Sequence, residues 1–181
     1  TPKQGVCTFL QEVNWRNFDK SCRLAELLGT TSVLLTGKGE PTLFPEQITE
    51  YLEKLDNQNF PIIELKPNGI LLESDKYDDH WRSWYDNGLT FISLSVVHYD
   101  YVFNKSIYSP NGKYMDLERV IKKLHYFGFS VRLSCTMIEG GIDSLTSFKN
   151  MVAKAREWRV EQLSIRKLSY PDVSEDAEVR K

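Results

Sequence analysis

The chain has 181 residues, 41% of them hydrophobic and 27% charged, and its 23 Lys and Arg against 25 Asp and Glu leave a net charge of −2. At this length folding buries roughly 70% of the unfolded chain's surface, so a single domain can sustain its own core, and the composition excludes collagen, coiled coil and disorder. The near-neutral charge also excludes an overall field that would recruit nucleic acid or an anionic membrane.

The longest apolar stretches, such as Phe91 to Val97, are far shorter than the roughly 20 residues that span a bilayer, and the polar start Thr1-Pro2-Lys3-Gln4 is not a signal peptide. The expected compartment is the cytoplasm. Cys7, Cys22 and Cys135 are odd in number and widely spaced, which fits neither a disulfide framework nor a paired-cysteine zinc site. Cys22 and Cys135 lie in apolar-patterned segments and read as buried free thiols.

In chain order, apolar residues at helical spacing predict a helix over about 17–28, closed by Gly29. Ser32 to Leu35 is a short apolar run ending in a glycine-broken loop, as expected of a strand in a parallel sheet. A second helix starts near Pro45, carries Ile48, Tyr51, Leu52 and Leu55 on one face, and ends near Asn57. The alternation repeats as strand Pro61 to Leu65, helix Asp79 to Asn87, strand Thr90 to Val96, helix Asp116 to Phe127 and strand Ser130 to Met137. Helix Leu145 to Trp158 and strand Gln162 to Arg166 close the list.

Five strands alternating with five helices predict an α/β fold, a parallel sheet of repeated strand-helix units joined by right-handed crossovers. The pattern fits a partial barrel or an open doubly wound sheet. Residues 1–181 read as one domain. It opens on a helix with no strand before it and ends on the charged run Ser174 to Lys181, so a first strand and the loop after it are expected to be missing.

In such folds the strand ends that feed the helices carry ligands. The first of these ends is Thr36-Gly37-Lys38-Gly39-Glu40-Pro41, where two glycines free the backbone for close approach, Pro41 stiffens the loop, and the Glu40 carboxylate can hold an ammonium group. The run matches neither a Walker motif, which needs Gly-Lys-Ser/Thr, nor the Rossmann fingerprint. A tight connection and a ligand loop both satisfy it.

The segment Leu34 to Leu43, placed at a strand end, resembles the Gly-Glu-Pro motif of the radical S-adenosylmethionine superfamily. In that family the motif follows the second barrel strand and binds the amino group of the cofactor's methionine. Further down the chain, Lys66-Pro67-Asn68-Gly69 is similar to the family's Thr-Asn-Gly strand ending. Gly88 to Val96 resembles its Gly-x-x-x-Ile-Ser-Leu-Asp run, with Ser93 matching and Ser95 replacing the carboxylate, where the cofactor's ribose would sit. Gly128 to Ser144 resembles the next strand and loop, with Thr136 as cofactor neighbour, and Arg166 ends the last strand, either facing the same mouth or buried as an ion pair. The resemblance implies a partial (β/α)6 TIM-like barrel. It implies S-adenosylmethionine as cofactor, held by Gly37, Lys38, Gly39, Glu40, Pro41, Asn68, Ser93, Ser95, Thr136 and Arg166.

The resemblance also implies a [4Fe-4S] cluster, reductive cleavage of the cofactor to a 5'-deoxyadenosyl radical, and an electron donor such as flavodoxin or ferredoxin. The family's Cys-x-x-x-Cys-x-x-Cys loop is absent from this chain: at those spacings Cys7 is followed by Gln11 and Asn14, so two of three thiolates fail. Two other functions stay open at this point, an inert α/β nucleotide-binding or protein-interaction module and a phosphate-substrate enzyme at the Gly37 loop. Trp81, Trp84 and Tyr85 read as one core-facing helix surface. His80, His98 and His125 have no metal-binding spacing, with His98 and Asp100 taken as a solvated loop. The aromatic run Tyr99 to Tyr114 reads as one long loop that contacts substrate.

Overall fold

The computed structural model describes residues 12–37, 39–109 and 112–168. Five strands run β1 (Ser32–Leu35), β2 (Ile62–Leu65), β3 (Phe91–Val96), β4 (Ser130–Met137) and β5 (Gln162–Lys167). Six helices accompany them: α1 (Trp15–Leu27), α2 (Pro45–Leu55), α3 (Asp78–Asp86), α4 (Tyr101–Tyr108), α5 (Leu117–Tyr126) and α6 (Leu145–Glu157). Two 3-10 turns, Pro41–Leu43 and Asp75–Tyr77, sit in the loops after β1 and β2.

All four pairings are parallel and the strand order is sequential, β1-β2-β3-β4-β5. A doubly wound sheet reverses direction at a switch point, whereas sequential right-handed crossovers leave every helix on one side. The order therefore selects the partial barrel. Among the described residues it is an open sheet of five strands, the five that the sequence reading expected in this chain.

The two faces of the sheet differ because alternate residues of each strand point to opposite sides. Ile63, Leu65, Ile92, Leu94, Val96, Val131, Leu133 and Cys135 lie on the convex face. There they join Ile48, Leu52 and Leu55 of α2, Trp81 and Trp84 of α3, Val120, Ile121 and Leu124 of α5, and Met151 and Ala155 of α6 in one core. Trp81 and Trp84 are wholly buried, as the helical spacing implies, and the Trp84 indole N–H donates to Thr49 Oγ1 at 2.9 Å, tying α3 to α2. Tyr85 departs from that expectation: it is 49% exposed and only edges onto Phe129.

One further element overturns an expectation. Residues 101–108 form α4, where the sequence reading had a continuous loop over 99–114. Asp100 is the cause, since its carboxylate accepts from the backbone N–H groups of Val102 and Phe103 and so satisfies the first turn. Buried Asn104 then fixes the helix to β3 by accepting from Val97 N at 2.9 Å.

Candidate functional site

The concave face, opposite the helices, is polar. Glu64, Phe91 and Arg132 meet there, with the Arg132 guanidinium paired to the Glu64 carboxylate, bonded through Nε to Gln162 at 2.7 Å, and stacked over the Phe91 ring. Ser93 lies in register with Arg132 and so shares its face, and Ser95, Ser134 and Ser164 form the next lateral row across three strands. Thr136 and Arg166 make the row at the mouth. Ser93 and Ser134 are 1% and 8% exposed. Arg166 is exposed, so of its two expected fates the buried ion pair is excluded. A partly buried pair is formed instead by Arg132 and Glu64, which the sequence reading missed; its signal was a Glu and an Arg at inward positions of apolar strands.

At the mouth, the loop after β1 is shaped by Glu40. One carboxylate oxygen accepts from Thr42 N at 3.0 Å and from the Thr42 hydroxyl, capping the 3-10 turn, and the other accepts from Asn68 N at 2.6 Å. A carboxylate offers about four acceptor positions, so these donors occupy three and bind the β1 loop to the end of β2. Glu40 thus has a structural task that its expected ammonium contact did not include. Pro41 opens the 3-10 turn at a position where a missing N–H costs nothing. Among the described residues no backbone N–H donates to the carbonyls of Thr36 or Gly37. Lys38 lies outside the described residues.

The two glycines flanking this clamp differ in kind. Gly69 has φ +83°, and a Cβ there would stand 2.5 Å from the Met115 side chain and 3.3 Å from Leu94, so the fold itself demands glycine. Asn68 prepares that turn through its side-chain oxygen, which accepts from Ile70 N at 2.9 Å. At Gly37 the nearest atom to a Cβ would be Gly39 N at 3.8 Å, ordinary contact, and φ lies outside the left-handed region. Among the described residues neither strain nor crowding calls for glycine at Gly37.

Behind the loop, the Tyr77 hydroxyl donates to the Thr42 carbonyl at 2.7 Å. Burial, and then the Glu40 and Glu46 carboxylates, push its pKa upward, so the hydroxyl remains a donor. Sequence reading did not single out Tyr77, since its partner is 35 residues distant. Asp100 is exposed, as expected of a solvated loop, but His98 is half-buried: its imidazole accepts from Asp100 N at 2.9 Å through Nδ1 and packs on Tyr99 and Phe103. Burial lowers its pKa against the opposing pull of Asp100. Glu40, Asn68, Ser93, Ser95, Thr136 and Arg166 thus lie at the loop ends and concave face of one sheet, whereas the aromatics at 101, 108 and 114 pack on one another beside α4.

The donor set was also tested against a [4Fe-4S] cluster. Cys22 on α1 and Cys135 on the convex face of β4 are free and buried, and burial pushes the Cys135 thiol up to about 11. Among the described residues no group of three or more His, Cys, Asp or Glu could hold a metal, and Cys7 lies outside them. The described residues therefore do not fit a cluster. Among them, too, no helix is long and apolar enough to cross a membrane.

No family model matches the chain. It is 35% identical over 71 residues to a curated relative, the probable GTP 3',8-cyclase of Methanothermobacter thermautotrophicus, a match spanning 39% of this chain and 23% of the relative. The fold is similar to that of SuiB from Streptococcus suis. SuiB bound to S-adenosylmethionine superposes with a TM-score of 0.67 over 93% of this chain at 17% identity, and SuiB bound to its precursor peptide SuiA with 0.64 over 90% at 16%. In both cases the chain spans 36% of SuiB's length.

Proposed function

We propose that this chain, a core domain of the radical S-adenosylmethionine kind by its fold and its sequence match, binds S-adenosylmethionine across the mouth of the partial barrel. The supporting observation is Gly37, a glycine that packing among the described residues does not require, in a loop clamped by Glu40 where no backbone N–H of those residues donates to the Thr36 or Gly37 carbonyl. A Cβ at Gly37 would stand in the space through which a ligand approaches the backbone. The carbonyls of Thr36 and Gly37, with the remaining acceptor position of Glu40, suit the three donors of an ammonium group. Ser95, partly exposed, offers a hydroxyl to a ribose with buried Ser93 beneath it on the same face, while Thr136 and Arg166 stand on the adjoining strands.

The finer reading is that the bound cofactor supplies reductive radical chemistry at a [4Fe-4S] cluster, making the whole protein an enzyme that draws electrons from a flavodoxin or ferredoxin. This chain's own residues bind and orient. Calorimetric titration with S-adenosylmethionine tests the assignment. Gly37→Ala is expected to weaken binding by about tenfold with an unchanged melting temperature. Equal affinity in wild type and variant, or no binding by wild type, would overturn it.

A further inference from the structure

We infer that Tyr77, braced by Lys123, is a positioning residue that holds Glu40 and Pro41 of the loop after β1 in their binding geometry; this rests on the cofactor-binding reading above. The described residues between Leu35 and the 3-10 turn at Pro41–Leu43, 36–37 and 39–40, form no helix or strand, so their shape is imposed through side chains. Thr42 is the junction. It is wholly buried, its N–H and hydroxyl both donate to Glu40, and its carbonyl accepts from Tyr77. Glu40 in turn holds Asn68 N. Tyr77 is therefore one end of a continuous chain, Tyr77–Thr42–Glu40–Asn68, that joins the loops after β1 and β2.

Tyr77 itself is anchored from outside. Its ring lies 6.2 Å from both His80 and Trp81 and packs against the hydrophobic core. The turn that carries it is gripped by Lys123 of α5, whose ammonium reaches Ser74 O at 3.2 Å, Asp75 at 3.0 Å and Asp78 at 2.6 Å. The Lys123 side chain is only 16% exposed, while its partners Asp75 and Asp78 are 85% and 37% exposed, so the ammonium is held from the buried side of the turn. Glu73, the preceding acidic residue, is held by Lys113 at 3.4 Å and Arg119 at 3.5 Å. A turn fastened at so many points serves as a fixed support, and a loop held in its bound shape pays less ordering entropy when ligand arrives.

The test compares Tyr77→Phe and Lys123→Met with wild type in the full chain, using two ligands. S-adenosylmethionine carries the amino-acid end that the loop would receive; 5'-methylthioadenosine lacks it. Tyr77→Phe is expected to weaken S-adenosylmethionine binding about five- to tenfold, the effect of one lost hydrogen bond, with 5'-methylthioadenosine unchanged, and Lys123→Met to act in the same direction. Amide exchange should quicken at Leu43 and Asn68 while Leu94 and Leu133 keep wild-type rates. Equal losses for both ligands, no loss for either, or faster exchange throughout the sheet would overturn the assignment. If wild type binds neither ligand, the cofactor reading falls, and exchange at Leu43 and Asn68 alone then decides whether Tyr77 holds the loop.

Discussion

The loops after β1 and β2 each carry a glycine at a strand end, yet for opposite reasons. Gly69 is enclosed, with a left-handed φ and Met115 where a side chain would go, whereas Gly37 has room and an ordinary backbone. One glycine serves the fold, and the other is the one proposed to leave an approach open. The same glycine-rich appearance in sequence therefore conceals two physical demands, and only the geometry around each Cα separates them.

Substitutions can break this comparison. Gly69→Ala should have the largest effect on folding, about 3 kcal/mol, from the left-handed backbone together with overpacking against Met115; urea unfolding measures it, and a loss below about 0.5 kcal/mol would refute the enclosed reading. Glu40→Gln comes next. Replacing one carboxylate oxygen with an NH2 sets donor against donor at Thr42 or Asn68, so about 2 kcal/mol of stability should go, together with S-adenosylmethionine binding. Gly37→Ala lies at the other extreme, with stability kept within about 0.5 kcal/mol while affinity falls.

A pH series sharpens the same contrast. The Tyr77 pKa is raised above its ordinary 10.0 in the folded chain, so the stability it contributes is complete below that value and is lost as pH rises through the higher folded one. Protection of the Asn68 amide should fall in that alkaline window in wild type, and Tyr77→Phe should flatten the dependence there.

Much of the fold was legible because the apolar runs that make the convex face are dense and their spacing is regular. Ile63, Leu65, Ile92, Leu94, Val131 and Leu133 alternate with residues that need not be apolar, and the helices opposite them show a matching stripe. The boundaries of α1 and α2 came within two residues of those observed. The helix α4 was missed because its signal is a single cap, Asp100, amid aromatics that suggested a loop. Gly37, Glu40, Asn68, Ser93 and Ser95 were singled out as an ordered series along successive strand-to-helix units, an order the strand sequence preserves. The Arg132–Glu64 pair and Tyr77 were not, since each acts through a partner between 35 and 68 residues away that no local spacing encodes.

The central claim is that ligand binding belongs to the concave mouth and stability to the convex face. The most direct measurement is an amide chemical-shift map of the chain titrated with S-adenosylmethionine. The account predicts that shifts concentrate at Gly37, Gly39, Asn68, Ser95 and Thr136, with Ile48, Trp84, Val120 and Met151 on the helices unmoved. Shifts centred on those helices, or none at saturating ligand, would contradict it.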